Sequence, residues 1–153
     1  MAGKKLMDYL DQHQVQYKLL DHDPAYTAQE AAAKAAVSGR QFAKSVMIKA
    51  DQEMKMAVLS AVDKVDFRAL EKILGAEEVR LASEEEFGDL FPDCDLGAMP
   101  PFGNLYGVEV LVDRGLSEEM TIAFCAGTHT QLVRMSGEDF QALANPRVAD
   151  FAR

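Results

Sequence analysis

The chain has 153 residues, of which 48% are hydrophobic and 27% charged, and its formal net charge is −9 at neutral pH. That length is one domain's worth, residues 1–153 taken together, and buries roughly two thirds of the surface its unfolded form exposes, so a full core is expected. The acidic balance argues against generic binding to a nucleic-acid backbone, because phosphate affinity grows with the number of opposing cations, and no apolar run approaches the roughly 18 residues that span a bilayer.

In chain order, Leu6, Met7 and Leu10 share one helical face and predict an opening helix near 3–13. Val15, Tyr17 and Leu19 alternate as a short strand, and Asp23-Pro24 marks a turn. Thr27-Ala28-Gln29-Glu30 has the spacing of a capping box, so the alanine-rich stretch 28–36 is expected to be a helix stopped by Gly39. A strand over Phe42 to Ile48 turns through Asp51-Gln52 into a second strand near 54–61, a hairpin.

A helix near 64–74 turns Phe67, Leu70, Ile73 and Leu74 inward and stops at Gly75. Val79-Arg80-Leu81 is a short strand, and Ser83 with Glu86 repeats the capping-box spacing before a short helix ended by Pro92. The Gly/Pro-dense segment Gly97 to Gly103 follows, then alternating Val108, Val110 and Val112, a turn at Asp113-Arg114-Gly115, and an apolar strand over 120–125. Gly127-Thr128-His129-Thr130 interrupts, a strand resumes over 131–135, and Ser136 caps a last helix near 138–144. Hairpin-length turns with helices between groups of strands predict an α+β arrangement: a mixed, largely antiparallel sheet surrounded by helices.

Four features bear on chemistry. Lys44 points the same way as Phe42, Val46 and Ile48 if the run is a strand, which puts an ammonium on the core side. Burying it without partners costs several kcal/mol or drives its pKa down, so either a polar cleft meets it or it snorkels to water at a strand end. The Gly97–Gly103 loop is stiffened by Pro100 and Pro101 and flanked by glycines free to take positive φ; it is either a ligand-binding loop or a rigid crossover. His129 sits between two threonines at a strand end, a place where functional groups are commonly presented, though a structural histidine fits there equally.

The last feature is what is missing. The three histidines and two cysteines show no metal-ligand spacing and no disulfide framework, so no metal is expected and a reduced compartment fits. The chain meets Asp8 and Asp11 before any signal-type apolar stretch, so a cytoplasmic location is expected. There is no Gly-x-Ser-x-Gly elbow and no glycine fingerprint for phosphates or dinucleotides, and Cys125 in an apolar strand reads as a small core residue.

Taken together and in order, His22-Asp23-Pro24-Ala25-Tyr26-Thr27-Ala28-Gln29-Glu30-Ala31, Ala43-Lys44-Ser45, Gly97-x-x-x-Pro101-Phe102-Gly103 and Ala126-Gly127-Thr128-His129 resemble the YbaK/prolyl-tRNA synthetase associated family. That family includes the inserted editing domain of bacterial prolyl-tRNA synthetases and free-standing proteins that hydrolyse mischarged aminoacyl-tRNA. The resemblance implies a mixed sheet wrapped by helices around one substrate cleft. It implies that Lys44 is the functionally required lysine, that Gly97 and Pro101 form the glycine-proline loop, and that Gly127 and His129 form the strand-end Gly-x-His. Thr27, Phe102 and Gly103, in the matched segments, are the remaining substrate-side residues it implies.

The implied activity is trans-acting deacylation: hydrolysis of the ester of a mischarged tRNA, that for proline or a related one, without a cofactor. The partners would be the aminoacyl-tRNA 3′ end and a synthetase or other tRNA-bound protein, with no DNA and no membrane. Lys44 would hold an oxygen or phosphate of the terminal nucleotide, backbone N–H groups near Gly97 or Gly127 would stabilise the oxyanion, and His129 would shape the acyl pocket or bind the substrate amine. The alternative is a non-catalytic relative that binds a small amino-acid-like or nucleotide ligand as a regulator.

Overall fold

A computed structural model describes residues 3–153. Helix α1 (Lys4–Gln12) is followed by β1 (Tyr17–Asp21), α2 (Ala28–Lys34), β2 (Ala43–Ala50), β3 (Glu53–Ser60), α3 (Phe67–Leu74), β4 (Val79–Leu81) and α4 (Glu84–Phe87). After two short 3₁₀ turns come β5 (Glu109–Asp113), α5 (Arg114–Ser117), β6 (Thr121–Cys125), β7 (Gln131–Ser136), α6 (Gly137–Ala144) and β8 (Arg147–Ala149). No described helix is long and apolar enough to cross a membrane.

The strands divide between two sheets, where the sequence pattern suggests one. A five-stranded sheet runs β4-β2-β3-β5-β8 and a three-stranded sheet runs β1-β7-β6. The antiparallel hairpins are as expected, β2 with β3 and β6 with β7, but β3 pairs β5 and β5 pairs β8 in parallel. A parallel pair needs a long crossover. The one between β3 and β5 contains α3, β4, α4 and the Gly97 loop, and so delivers that loop to the edge of β2.

The central strands carry apolar residues on both faces and so are covered on both sides. One face of the large sheet, through Met47, Met56, Val58, Val110 and Val112, packs with Leu6 and Leu10 of α1 and with Phe102, Phe124 and Phe140. The opposite face, through Ile48, Ala57, Leu59 and Leu111, receives Leu70 of α3 together with Phe151. A third cluster joins Ala31 and Ala32 of α2 to Phe42, Ala123 and Leu132. A parallel bridge between Phe42 and Ala123 joins the two sheets, and Phe124 and Val133 of the small sheet pack in the same core as Met47 and Val58 of the large one.

Local signals set most of the boundaries. The Thr27 hydroxyl accepts the Glu30 N–H at 3.1 Å, which caps α2, although only Ser83 and Glu86 form the full reciprocal box. Asp66 caps α3 and Gly75 ends it in the left-handed conformation. Three differences from the sequence reading have physical causes. α2 ends at Lys34, before Gly39, because Ala36 takes φ 56°. The Asp113 turn is a one-turn helix. β8 is held by backbone pairing to β5 and carries too few apolar residues to announce itself.

Candidate active site

Lys44 lies in β2 opposite Leu59 of β3. β4 pairs with β2 only from Ile48 to Ala50, so the preceding stretch of β2 has no strand of its own sheet on that side. Bonding alternates along an antiparallel strand. Because the Ala61 N–H donates to Phe42 and the Ala82 N–H to Met47 on the other side, the backbone groups of Ser45 point to the open edge.

Against this edge lies a cavity of about 180 Å³, bordered by Tyr26 and Thr27, by Phe42, Lys44 and Ser45, and by Gly97, Met99, Cys125 and His129. The Nζ of Lys44 donates to the backbone carbonyls of Asp63 at 2.5 Å and Ala61 at 3.4 Å. An ammonium has three donors, so one remains for a ligand. No carboxylate touches it, since the Asp63 side chain is taken by Arg40 at 2.8 Å. Desolvation pulls the Lys44 pKa below the usual lysine value, the Asp63 charge opposes that fall, and the Lys64 charge adds to it.

Gly97 has φ 85°, where an L side chain is strained. Its N–H meets only the Met99 sulfur at 3.3 Å, a weak acceptor that a ligand oxygen would displace. The Gly127 N–H is differently placed: it donates to the Ala98 carbonyl at 3.0 Å, while the Gly127 carbonyl accepts the Asp95 N–H at 2.8 Å. Gly127, at φ 96°, therefore anchors the 95–98 turn through its backbone and has no N–H to spare for an oxyanion.

His129 Nε2 lies 3.0 Å from the Leu96 carbonyl. A carbonyl only accepts, so Nε2 carries the hydrogen and, in the neutral ring, Nδ1 is the acceptor. The ring packs at 4.9 Å from that of Tyr26, which is 71% exposed at the cavity mouth.

Of the residues expected at the site, Lys44, Thr27, Gly97 and His129 converge on this cavity. Pro101, Phe102 and Gly103 do not line it; they are buried. Phe102 packs its ring on Tyr9, Phe124 and Phe140, and a Cβ on Gly103 would stand 2.9 Å from the Val108 carbonyl. These three position the loop from beneath.

Tyr26, Ser45, Met99 and Cys125 are site residues the sequence did not single out. The Ser45 hydroxyl is buried without a hydrogen-bond partner. In the sequence it stands only as a member of the Ala43-Lys44-Ser45 segment. Burial pushes the Cys125 thiol up to about 11, so it stays protonated near neutral pH and is a poor nucleophile. Among the described residues no cluster of His, Cys, Asp or Glu could hold a metal ion.

The profile of the aminoacyl-tRNA editing domain matches residues 22–143. The chain is 26% identical, over 93% of its length and 90% of the relative's, to a prolyl-tRNA editing protein ProX of Acetoanaerobium sticklandii. It is 27% identical to part of a proline–tRNA ligase of Halalkalibacterium halodurans, over 69% of this chain and 18% of the ligase. A crystal structure described as a candidate trans-editing enzyme for prolyl tRNA synthetase superposes with a TM-score of 0.84 at 22% identity, covering 99% of this chain and 96% of that one. The matched segment takes in the cavity wall at residues 25–28 together with Lys44, Gly97 and His129 and ends in α6, and the chain belongs to the aminoacyl-tRNA editing domain family.

Proposed function

We propose that this protein is a trans-acting aminoacyl-tRNA deacylase, which hydrolyses the ester joining an amino acid to the terminal ribose of a mischarged tRNA. One observation carries the reading: a lysine ammonium with a donor unspent faces the same small cavity as the positive-φ Gly97 and His129. Water attacks the ester carbonyl; its proton passes, through a substrate hydroxyl or a second water, to the ribose oxygen, which leaves as a hydroxyl when the acyl–oxygen bond breaks and the amino acid is released. Lys44 holds an oxygen of the terminal nucleotide and so fixes the ester in place. The Gly97 N–H, held only by a thioether, is the donor available to the developing oxyanion.

Phe42, Ala43, Met99 and Cys125 enclose the apolar part of the cavity and restrict it to a small acyl side chain. The relatives named for prolyl-tRNA support tRNA-Pro as the acceptor. A synthetase or other tRNA-bound protein would hand over the substrate, in the cytoplasm where tRNA is charged. The test is a panel of aminoacyl-tRNAs, including alanyl-, cysteinyl- and prolyl-tRNA-Pro, each assayed for loss of the labelled amino acid. Rapid loss from one or two small mischarged species with the cognate spared is the expected result, and uniform persistence of every ester would refute it.

A further inference from the structure

Past Lys44 the cavity continues into a shallow groove along Thr27, Gln29 and Ala61. From Ala61 the chain leads directly to Lys64, and there two cations stand side by side. The Lys64 N–H donates to the Arg153 carbonyl at 2.8 Å and the Arg153 N–H returns to the Lys64 carbonyl at 2.7 Å. Residues that exchange both bonds are an antiparallel pair whose side chains share one face. Both residues are exposed, and among the described residues neither makes an ion pair.

Three side-chain carboxylates nearby in the chain are engaged elsewhere. Asp63 binds Arg40 at 2.8 Å, Asp66 accepts the Ala69 N–H at the start of α3, and Asp150 binds Arg114 at 3.1 Å. Like charges set opposite one another destabilise a fold unless something neutralises them. In a chain of net charge −9 this is a local positive point beside the site. Lys64 directly follows Asp63, whose carbonyl holds the Lys44 ammonium.

We propose that Lys64 and Arg153 bind phosphodiester groups of the single-stranded 3′ end of tRNA, just upstream of the nucleotide whose ester enters the cavity. An ammonium and a guanidinium fork are both suited to phosphate. The pair explains how an acidic protein engages a polyanion: it does so at one place, and repels the remainder. The identity of the RNA rests on the deacylase reading; the polyanion site does not.

The test is binding of a labelled RNA ending in CCA, by anisotropy at several salt concentrations, to wild type, to Lys64→Ala/Arg153→Ala and to Lys4→Ala/Lys18→Ala, which removes equal charge elsewhere. Loss of two phosphate contacts should weaken binding at least about 10-fold at low salt and flatten the slope of log K against log salt by about 1.4, at about 0.7 per phosphate of a single strand. The charge control should match wild type. Equal binding by the Lys64/Arg153 variant, an equal loss in the control, or no binding by wild type would each overturn the site. Hydrolysis of an aminoacyl-adenosine ester, which has no phosphodiester, is expected to be the same in wild type and the double variant; an ester left intact by wild type counts against the deacylase reading alone.

Discussion

The ammonium of Lys44 and the backbone carbonyl of Asp63 are 2.5 Å apart. The lysine is thus positioned by the path of the chain leaving β3 and not by a carboxylate, and its positive charge is oriented without being cancelled. A paired lysine would have to give up its partner before holding a substrate anion; this one does not.

Replacing Lys44 by Met tests that arrangement. Deacylation should fall by about 100-fold or more, the range for losing one preorganised charge or donor. Stability should not fall. Burial depresses the folded-state pKa of Lys44 below the usual 10.5, so the unfolded chain binds the proton more tightly, and the resulting penalty is fully present below the folded pKa. It is relieved as pH rises from that depressed value towards 10.5. Wild type should therefore gain stability relative to Lys44→Met across that alkaline window, and at pH 7 the variant should melt no lower. Wild-type turnover in a folded Lys44→Met protein would remove Lys44 from the site.

Gly97→Ala isolates the backbone requirement. The new Cβ would stand 3.5 Å from His129 Cε1, an ordinary contact, so the cost comes from φ 85° and not from a clash. About 1–2 kcal/mol of lost stability is expected, with a fall in kcat/KM of more than about 10-fold as the N–H aimed at the oxyanion turns away. A Gly97→Ala protein that melts and turns over like wild type would make the loop a simple crossover.

These two residues also mark what the sequence makes legible. A lysine within an apolar strand is visible as an anomaly, and the direction Lys44 takes follows from strand alternation alone. The capping residues Thr27, Ser83 and Ser136 and the glycine stop at Gly75 are equally local, and they set helix ends where the structure has them, whereas the Asp66 cap starts α3 later than the sequence pattern predicts. The division into two sheets is not local. It depends on β3, β5 and β8 pairing in parallel across long crossovers, which no short pattern encodes. The same limit applies at the site: Pro101 and Phe102 belong to the motif, but only the packing of Phe102 on Phe124 and Phe140 reveals that they face inward.

Asp113 was legible only as a turn residue, yet it ties down the end of the chain. It is buried; its Oδ1 accepts the N–H groups of Phe151 and Ala152, each at 3.0 Å, and its Oδ2 accepts that of Gly115 at 3.0 Å. Asp113→Ala removes the acceptor of all three donors and leaves the buried Phe151 N–H without a partner, and a loss of about 1–3 kcal/mol is expected. Asp113→Asn should cost less, since its amide oxygen still accepts. Urea denaturation of the three proteins checks the order, and an alanine variant as stable as wild type would show that the donors find water.

His129 divides between acid-base and shape roles, and its hydrogen bond helps to decide. Nε2 is committed to the Leu96 carbonyl at 3.0 Å, so only Nδ1 is left to take a proton, and the ring is wedged between Tyr26 and the Gly97 backbone. A general base with a near-neutral pKa makes the rate fall as pH drops through that pKa; a residue that shapes the wall imposes no such limb. His129→Ala would enlarge the cavity and weaken rejection of larger acyl groups, by about 10-fold or more for one added methylene-sized difference. Selectivity should therefore change more than the pH profile when wild type and His129→Ala are compared from about pH 5.5 to 8.5 on two aminoacyl-tRNAs of different side-chain size. An acid limb present in wild type and absent in the variant, with selectivity unchanged, would make His129 the base and assign the wall to Phe42 and Met99.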